Sequence, residues 1–350
     1  MIIKNQIKKI NLSHIKSIQD YDNKYKSDHW QRGYEKKKER LKFNNIENFR
    51  NNSLSDGLDT RPGSIESQKK LYNQLKDEIG IKYLRKNLSN SNIGNLKNVL
   101  RIENKLIDPN LLFHIRQLYE IQKQVKNKNL KPKIICEIGA GFGSLSHLLI
   151  KNFKNTKYII YDLPEANFLS SYYLLKKNTK KRFLFYCDIK NKKLSVNDIK
   201  NYDIIILPPW VNLKDIKVDI FINLRSFMEM DKIVIKKYFT LIQKTIKNSG
   251  IFININRYEK RTVGYPIRIA EYPYDNKWKV IKSEPTWNSP HSHTLIVERK
   301  NKKSDIKTEL KKIKKLTIKE NFKINKHFLK NILPRSIFLF LQRVKHSFNK

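Results

Sequence analysis

At 350 residues the chain has room for one large domain with additions, or for two. Its 73 Lys and Arg stand against 32 Asp and Glu, a formal net charge of +41; this suits polyanionic partners, yet it also fits a composition rich in Lys, Asn and Ile in which lysine is the default surface residue. Two cysteines, Cys136 and Cys187, exclude a disulfide framework or a cysteine zinc site, and with no bilayer-length apolar run and no apolar core in the N-terminal stretch, a cytoplasmic protein is expected.

Residues 1–125 read as a helical region. Scattered aromatics (Tyr21, Tyr25, Trp30, Tyr34) lie in a polar background, and Glu35 to Arg40 reads as a solvated helix face. Ser55-Asp56-Gly57 marks a break. Leu71, Leu75, Ile79 and Tyr83 recur in steps of four and predict one helix from Ser64 to about Lys86. Asn90 to Asn95 is turn-forming. Asp108-Pro109 then supplies an N-cap and a first-turn proline for a helix with Leu111, Leu112, Ile115, Leu118 and Tyr119 on one face.

Between residues 126 and 300 strands and helices alternate. Ile134-Ile135-Cys136 leads into Glu137, then Gly139, Gly141 and Gly143, then a helical pattern at Leu145, Leu148 and Leu149. Further strands are predicted at 158–161, 183–186, 203–207, 218–223 and 251–255, with a long helix from about Asp231 to the stop at Asn248-Ser249-Gly250. Trp278–Ile281 and Thr294–Glu298 have no helix between them and should pair antiparallel. The expected fold is α/β, a doubly wound, mostly parallel sheet with an antiparallel last strand. Residues 301–350 form a basic tail: from Lys300 onward 16 Lys and Arg face three acids. Within it, Ile337, Phe340, Leu341, Val344 and Phe348 make an amphipathic face after Pro334, suited to lying flat on an anionic membrane surface.

The glycine-rich turn is the chemical centre. Strand, glycines and helix start together allow close backbone approach to a ligand. The spacing is G-x-G-x-G, and Glu137 stands two residues before the first glycine. An acid there repels a pyrophosphate and suits the α-ammonium of a methionine moiety. Asp162, at the end of the second strand, is placed to accept from a ribose. S-adenosyl-L-methionine (SAM) is therefore the expected cofactor, with Glu137, Gly139, Ala140, Gly141, Gly143, Asp162, Leu163 and Asp188 as its binding residues. Ligands in such sheets sit beyond the carboxyl ends of the strands. That rule gathers Leu207–Trp210, Asn223–Glu229, Asn256-Arg257 and the 289–293 turn around one crevice. Methyl transfer to oxygen needs a positioned hydroxyl and a base, and Glu229, His291 and His293 are the candidates. Leu207-Pro208-Pro209-Trp210 lacks the leading Asp or Asn of adenine amino-methyltransferases, so that chemistry is not expected. Asp188, Asp215 and Glu229 show no metal-ligand spacing, and no metal is expected.

Four stretches, 137–143 (EIGAGFG), 161–165 (YDLPE), 219–230 (DIFINLRSFMEM) and 255–259 (INRYE), resemble the SAM-dependent sugar O-methyltransferases of the NanM type. Upstream, Asn48-Phe49-Arg50 and Ser91 to Asn95 resemble that family's N-terminal helical part. The resemblance covers roughly residues 25–300 and implies a class I methyltransferase fold. It also implies a sugar hydroxyl as acceptor, nucleotide- or lipid-linked, and Ser226 to Glu229 as part of the site. Arg225 stands where the family has a small or uncharged residue, a departure that bears on acceptor choice. Two other readings stay open: an RNA methyltransferase, favoured by the charge but lacking a nucleic-acid-reading module, and a non-catalytic scaffold of polysaccharide assembly.

Overall fold

A computed structural model describes residues 2–21, 25, 27, 30–31, 43–50, 64–89, 92–96, 100–102, 104–190 and 192–318. The helices are α1 (Ile2–Gln19), α2 (Ile65–Ile79), α3 (Ile81–Asn87) and α4 (Pro109–Asn127), followed by strand β1 (Ile134–Ile138). Then come α5 (Ser144–Asn152), β2 (Lys157–Tyr161), α6 (Pro164–Lys177), β3 (Phe183–Leu184), β4 (Ile204–Leu207) and β5 (Val218–Leu224). The order closes with α7 (Lys232–Thr245), β6 (Ile246–Arg257), β7 (Trp278–Thr286) and β8 (Ser289–Arg299).

One eight-stranded sheet carries the fold in the order β7-β8-β6-β5-β1-β2-β4-β3. Six neighbouring strands from β6 to β3 pair in parallel, and β8 pairs antiparallel with both β6 and β7. The α/β expectation, including the antiparallel late pair, therefore holds. The central strands are rich in β-branched and aromatic residues because helices cover both faces, with polar residues such as Glu137 and Asn223 near the ends that face a cavity. Ile135, Ile160, Ile204, Ile206, Ile220 and Ile222 point into the core beneath α4, α5 and α6. Cys136, Ile138, Ile159, Tyr161, Ile205 and Phe221 point into the opposite core, against α7. The strict alternation along each strand is the two-residue period of the pleat.

Three local readings are corrected. The helix expected over 64–86 is two helices, because Gly80 adopts φ +79° and turns the chain between α2 and α3. The long helix α7 ends at Thr245 rather than near Gly250, and β6 begins at once. There Ser249 (φ +62°) and the cramped Gly250 form an irregularity, and the register with β5 shifts between Ile246 and Ile251. The strand expected at 183–186 is a two-residue edge followed by a 3-10 turn at Tyr186–Asp188.

That short edge is covered by α1. Lys9 pairs with Asp188 at 2.7 Å, Cys187 N donates to Ser13 Oγ at 3.0 Å, and Lys16 Nζ donates to Ile189 O at 2.6 Å. These contacts hold α1 against the 3-10 turn that follows the edge strand, and with only two residues that strand offers little backbone to another chain. The upstream loops around Arg50 and Gly94 also meet: Arg50 N donates to Gly94 O at 2.8 Å and Asn95 Nδ2 to Asn48 Oδ1 at 2.9 Å. Arg50 is buried in an ion pair with Asp108, the residue whose side chain caps α4. The segment after β8 is helical over 306–318 and buries Ile306 and Ile313 in the α7-side core. The amphipathic face at 337–348, the basic run at 35–40 and the break at 55–57 lie outside the described residues. Among the described residues no helix is long and apolar enough to cross a membrane.

The Arg50–Asp108 pair predicts a large cost for Asp108→Ala, which removes the carboxylate beside a buried guanidinium and uncaps α4. About 3–5 kcal/mol of stability should be lost in urea denaturation. A loss under about 1 kcal/mol, the value of an exposed pair, would show that this pair does not anchor the helical layer.

Candidate active site

A cavity of about 700 Å³ opens over the carboxyl ends of β1, β2 and β5, within the range of about 300–1,000 Å³ typical of small-molecule sites. Its floor is the turn between β1 and α5, where Gly139, Gly141 and Gly143 all have positive φ (78°, 59° and 90°). At Gly139 the need for glycine is absolute in packing terms. An added Cβ would stand 2.0 Å from Ser226 Oγ, so the turn after β5 is pressed against the turn after β1. Gly139, Ala140 and Gly141 line the cavity, while Gly143 starts α5 and faces Leu174.

Two acids lie beside this turn. Glu137 is buried, and its Oε2 accepts from Ser146 Oγ and Tyr158 Oη, each at 2.6 Å. Burial pushes its pKa up, and the two hydroxyl donors oppose the shift. Asp162 Oδ2 accepts from Gly141 N and its Oδ1 from Leu163 N, both at 2.8 Å. Burial raises the Asp162 carboxyl to about 7; the two backbone donors hold it down, and the charges of Glu137 and Glu165 add to the rise. Neither Glu137 nor Asp162 has an ion-pair partner among the described residues. A cation brought beside them would favour the ionised form of both carboxyls.

A lattice of buried asparagines builds the next wall. Asn223 Nδ2, on β5, donates to Ile138 O at 2.9 Å and to Ser226 Oγ at 2.6 Å. Its Oδ1 accepts from Phe227 N at 3.2 Å and from Asn256 Nδ2 at 2.9 Å. Asn256 Oδ1 in turn accepts from Met228 N at 3.1 Å, and Asn254 continues the chain to Tyr274 Oη at 2.8 Å. All three asparagines are fully buried, and each amide finds partners. They fix the 3-10 turn Phe227–Glu229 over the cavity. Glu229 closes that turn, lines the cavity and pairs with Lys260, which a short ladder between Glu259–Lys260 and Ile267–Arg268 holds in place.

Arg225 and Arg257 line the same end, together with His114, whose Nδ1 is buried with no partner among the described residues. Burial drops the His114 pKa to about 4, with Asp108 opposing and Arg225 reinforcing, so the ring is neutral near pH 7. Tyr25, Ser27 and Trp30 roof the cavity, and Ser27 Oγ donates to Glu229 O at 2.9 Å.

Of the residues singled out from sequence, Glu137, Gly139, Ala140, Gly141, Asp162, Leu163 and Glu229 come together here. Asp188 does not; it is tied to Lys9 and accepts from Phe185 N at the covered edge. His293 is buried between Ser283 Oγ (2.8 Å) and Tyr258 Oη (3.0 Å), outside the cavity lining, with burial lowering its pKa to about 4. His291 is exposed on β8, where its carbonyl accepts from Tyr258 N. The antiparallel pair puts both histidines near the end of β6, but beyond the reach of the cavity. Among the described residues no cluster of three His, Cys, Asp or Glu could hold a metal.

The chain matches no protein-family model and no curated protein. Solved structures to which it is similar include an S-adenosylmethionine-dependent methyltransferase from Clostridium acetobutylicum, at 13% identity over 66% of this chain and 99% of that one (TM-score 0.39). Magnesium protoporphyrin IX methyltransferase from Synechocystis PCC 6803, with bound SAM, overlaps at 13% identity over 66% and 97% (TM-score 0.38). The pyocyanin biosynthetic protein PhzM overlaps at 8% identity over 55% of this chain, which spans 57% of PhzM's length (TM-score 0.37). Overlap this loose assigns no reaction; the cavity's own residues must do so.

Sequence reasoning did not reach Ser146, Tyr158, His114 or Lys260, nor the roof residues as ligand neighbours. A signal for Tyr158 was present. In the parallel register Glu137 pairs with Ile160, and Tyr158 shares that face two residues earlier.

The Gly139–Ser226 contact predicts that Gly139→Ala destabilises by about 1–3 kcal/mol through overpacking. Adding Ser226→Gly should restore part of the loss in thermal denaturation. A Gly139→Ala protein as stable as the parent would mean the two turns are not in contact.

Proposed function

We propose that the chain is a SAM-dependent methyltransferase acting on a hydroxyl of a sugar. The observation that carries this reading is the division of one cavity. Two buried acids without cationic partners flank a glycine turn at one end, and polar and basic side chains fill the other. When bound, SAM supplies an electrophilic methyl group on a positively charged sulfur. Glu137 would hold its ammonium group and Asp162 would accept from its ribose, while the glycine turn and the buried Ser144 Oγ, without a partner among the described residues, would offer close polar contact. The fit is electrostatic as well as steric: a cationic ligand relieves two carboxyls that burial otherwise drives toward protonation.

At the other end Glu229 is the one candidate base that lines the cavity. Its carboxylate accepts the proton of the acceptor hydroxyl, and Lys260 holds it in place. Trp30 and Phe113 give an apolar surface beside Asn110, Arg225 and Ser226, the mixture of flat apolar and hydrogen-bonding groups that suits a sugar ring. The resemblance of the four sequence stretches to sugar O-methyltransferases supports the same acceptor class.

Glu137→Ala and Asp162→Ala should each weaken SAM binding by calorimetry, roughly ten- to a hundred-fold, as expected for losing a hydrogen bond to a charged group. If both bind SAM as the parent does, the cofactor assignment fails. Glu229→Gln should keep SAM affinity yet lose about 10²–10⁴ in turnover, read as methyl transfer from labelled SAM to nucleotide sugars and lipid-linked glycans. Turnover at the parent rate would leave Glu229 without a role as base.

A further inference from the structure

Resting on that reading, we propose that the acceptor carries a phosphoryl group and that Arg225 and Arg257 bind it. Among the described residues these two guanidiniums have no ion-pair partner, and Glu229 offsets Arg225 only in part. The acids that line it are Glu137, Asp162 and Glu229. Glu137 is engaged by Ser146 and Tyr158, Asp162 by the Gly141 and Leu163 amides, and Glu229 by Lys260. Among the described residues neither Arg225 nor Arg257 makes a hydrogen bond or ion pair with its side chain. Partial desolvation lowers the Arg225 pKa, Arg257 adds to the shift and Glu229 opposes it, yet Arg225 stays exposed and Arg257 half-buried, so both are open to a ligand.

Holding an arginine in this way is costly, which argues that it is held for a reason. Arg225 has φ +60°, a conformation that disfavours any side chain with a Cβ. Its N–H is locked to Ile255 O at 2.7 Å, and it sits between Asn223 and Ser226, both fixed by the asparagine lattice. A glycine would adopt this turn without strain. The strained residue is instead one whose guanidinium is brought into a ligand cavity.

The count of charge selects the ligand. Two guanidiniums without a partner among the described residues match a phosphomonoester, which carries about −1.5 to −2 near pH 7, and a guanidinium fork can pair with two phosphoryl oxygens. A carboxylate sugar would pair with one arginine and leave the other without an anionic partner; a neutral sugar would leave both so. At the opposite end Glu137 and Asp162 repel a phosphate, so the cavity also fixes orientation. The phosphoryl group belongs to a free sugar phosphate, or to a sugar joined to its lipid through a diphosphate, which keeps the second negative charge that a simple phosphodiester lacks.

The test is calorimetric titration of the full chain with glucose 1-phosphate, glucuronic acid and glucose, with SAM titrated separately. The expected order is glucose 1-phosphate first, with glucuronic acid at least about ten-fold weaker and glucose weaker still. Arg225→Gln and Arg257→Gln should each weaken glucose 1-phosphate roughly ten- to a hundred-fold, while SAM binding reports that the variants are folded. A second arm, co-sedimentation with phosphatidylcholine vesicles containing a polyprenyl phosphate, assigns a lipid source if retention is lost in the double variant. Equal affinity for the three sugars, or arginine variants that bind glucose 1-phosphate like the parent, overturns the proposal even if SAM binds normally. Failure of the parent to bind SAM, with arginine-dependent phosphate binding intact, instead overturns the methyltransferase reading and leaves the anion site standing.

Discussion

Everything at the site depends on two turns being packed without a gap. Ser226, after β5, occupies the space that any side chain on Gly139 would need, after β1. The contact is possible because Asn223 ties Ser226 to the backbone of β1, and because Asn256 reaches across from β6 to hold Asn223 and the next turn. Three neighbouring strands are thereby set at one height. An asparagine suits this task because its amide both donates and accepts, so a chain of them satisfies backbone groups that would otherwise be buried without partners.

From that anchored base the cavity acquires its polarity. The acids come from the ends of β1 and β2, and the basic groups from the ends of β5 and β6 and the short ladder beyond. Separation of charge along one cavity lets two dissimilar ligands occupy fixed ends, because each end disfavours the other's ligand. Lys260 takes part twice in this scheme. It neutralises Glu229 and so leaves the arginines as the net charge of their end.

The parallel core was legible because its strands are continuous apolar runs between turn residues, such as Ile134–Cys136 and Ile204–Leu207. The acid-and-glycine turn was legible because glycine has few substitutes at positive φ. Strand order was not: nothing in Ile204–Leu207 itself says that it inserts between β2 and β3. The histidines misled for a related reason. His291 and His293 do follow a strand that runs parallel to the rest, and His293 stands opposite Asn256, but its ring is held between Ser283 and Tyr258, while His291 is exposed and outside the cavity lining. Lys260 and the roof were hidden because they reach the site through long-range contacts, such as Ser27 with Glu229, that leave no local pattern.

The helix α1 has a double attachment. It seals the edge at β3 through Lys9, Ser13 and Lys16, and the chain just after it supplies Tyr25, Ser27 and Trp30 to the roof. Tyr21 and Tyr25 also pack against the buried Trp210, just past β4. One strap thus serves both the β3 end of the sheet and the roof of the cavity. A change that loosened the strap to speed ligand exchange would also bare a strand edge, the kind of surface through which proteins aggregate. Faster turnover by that route is coupled to a greater hazard of self-association.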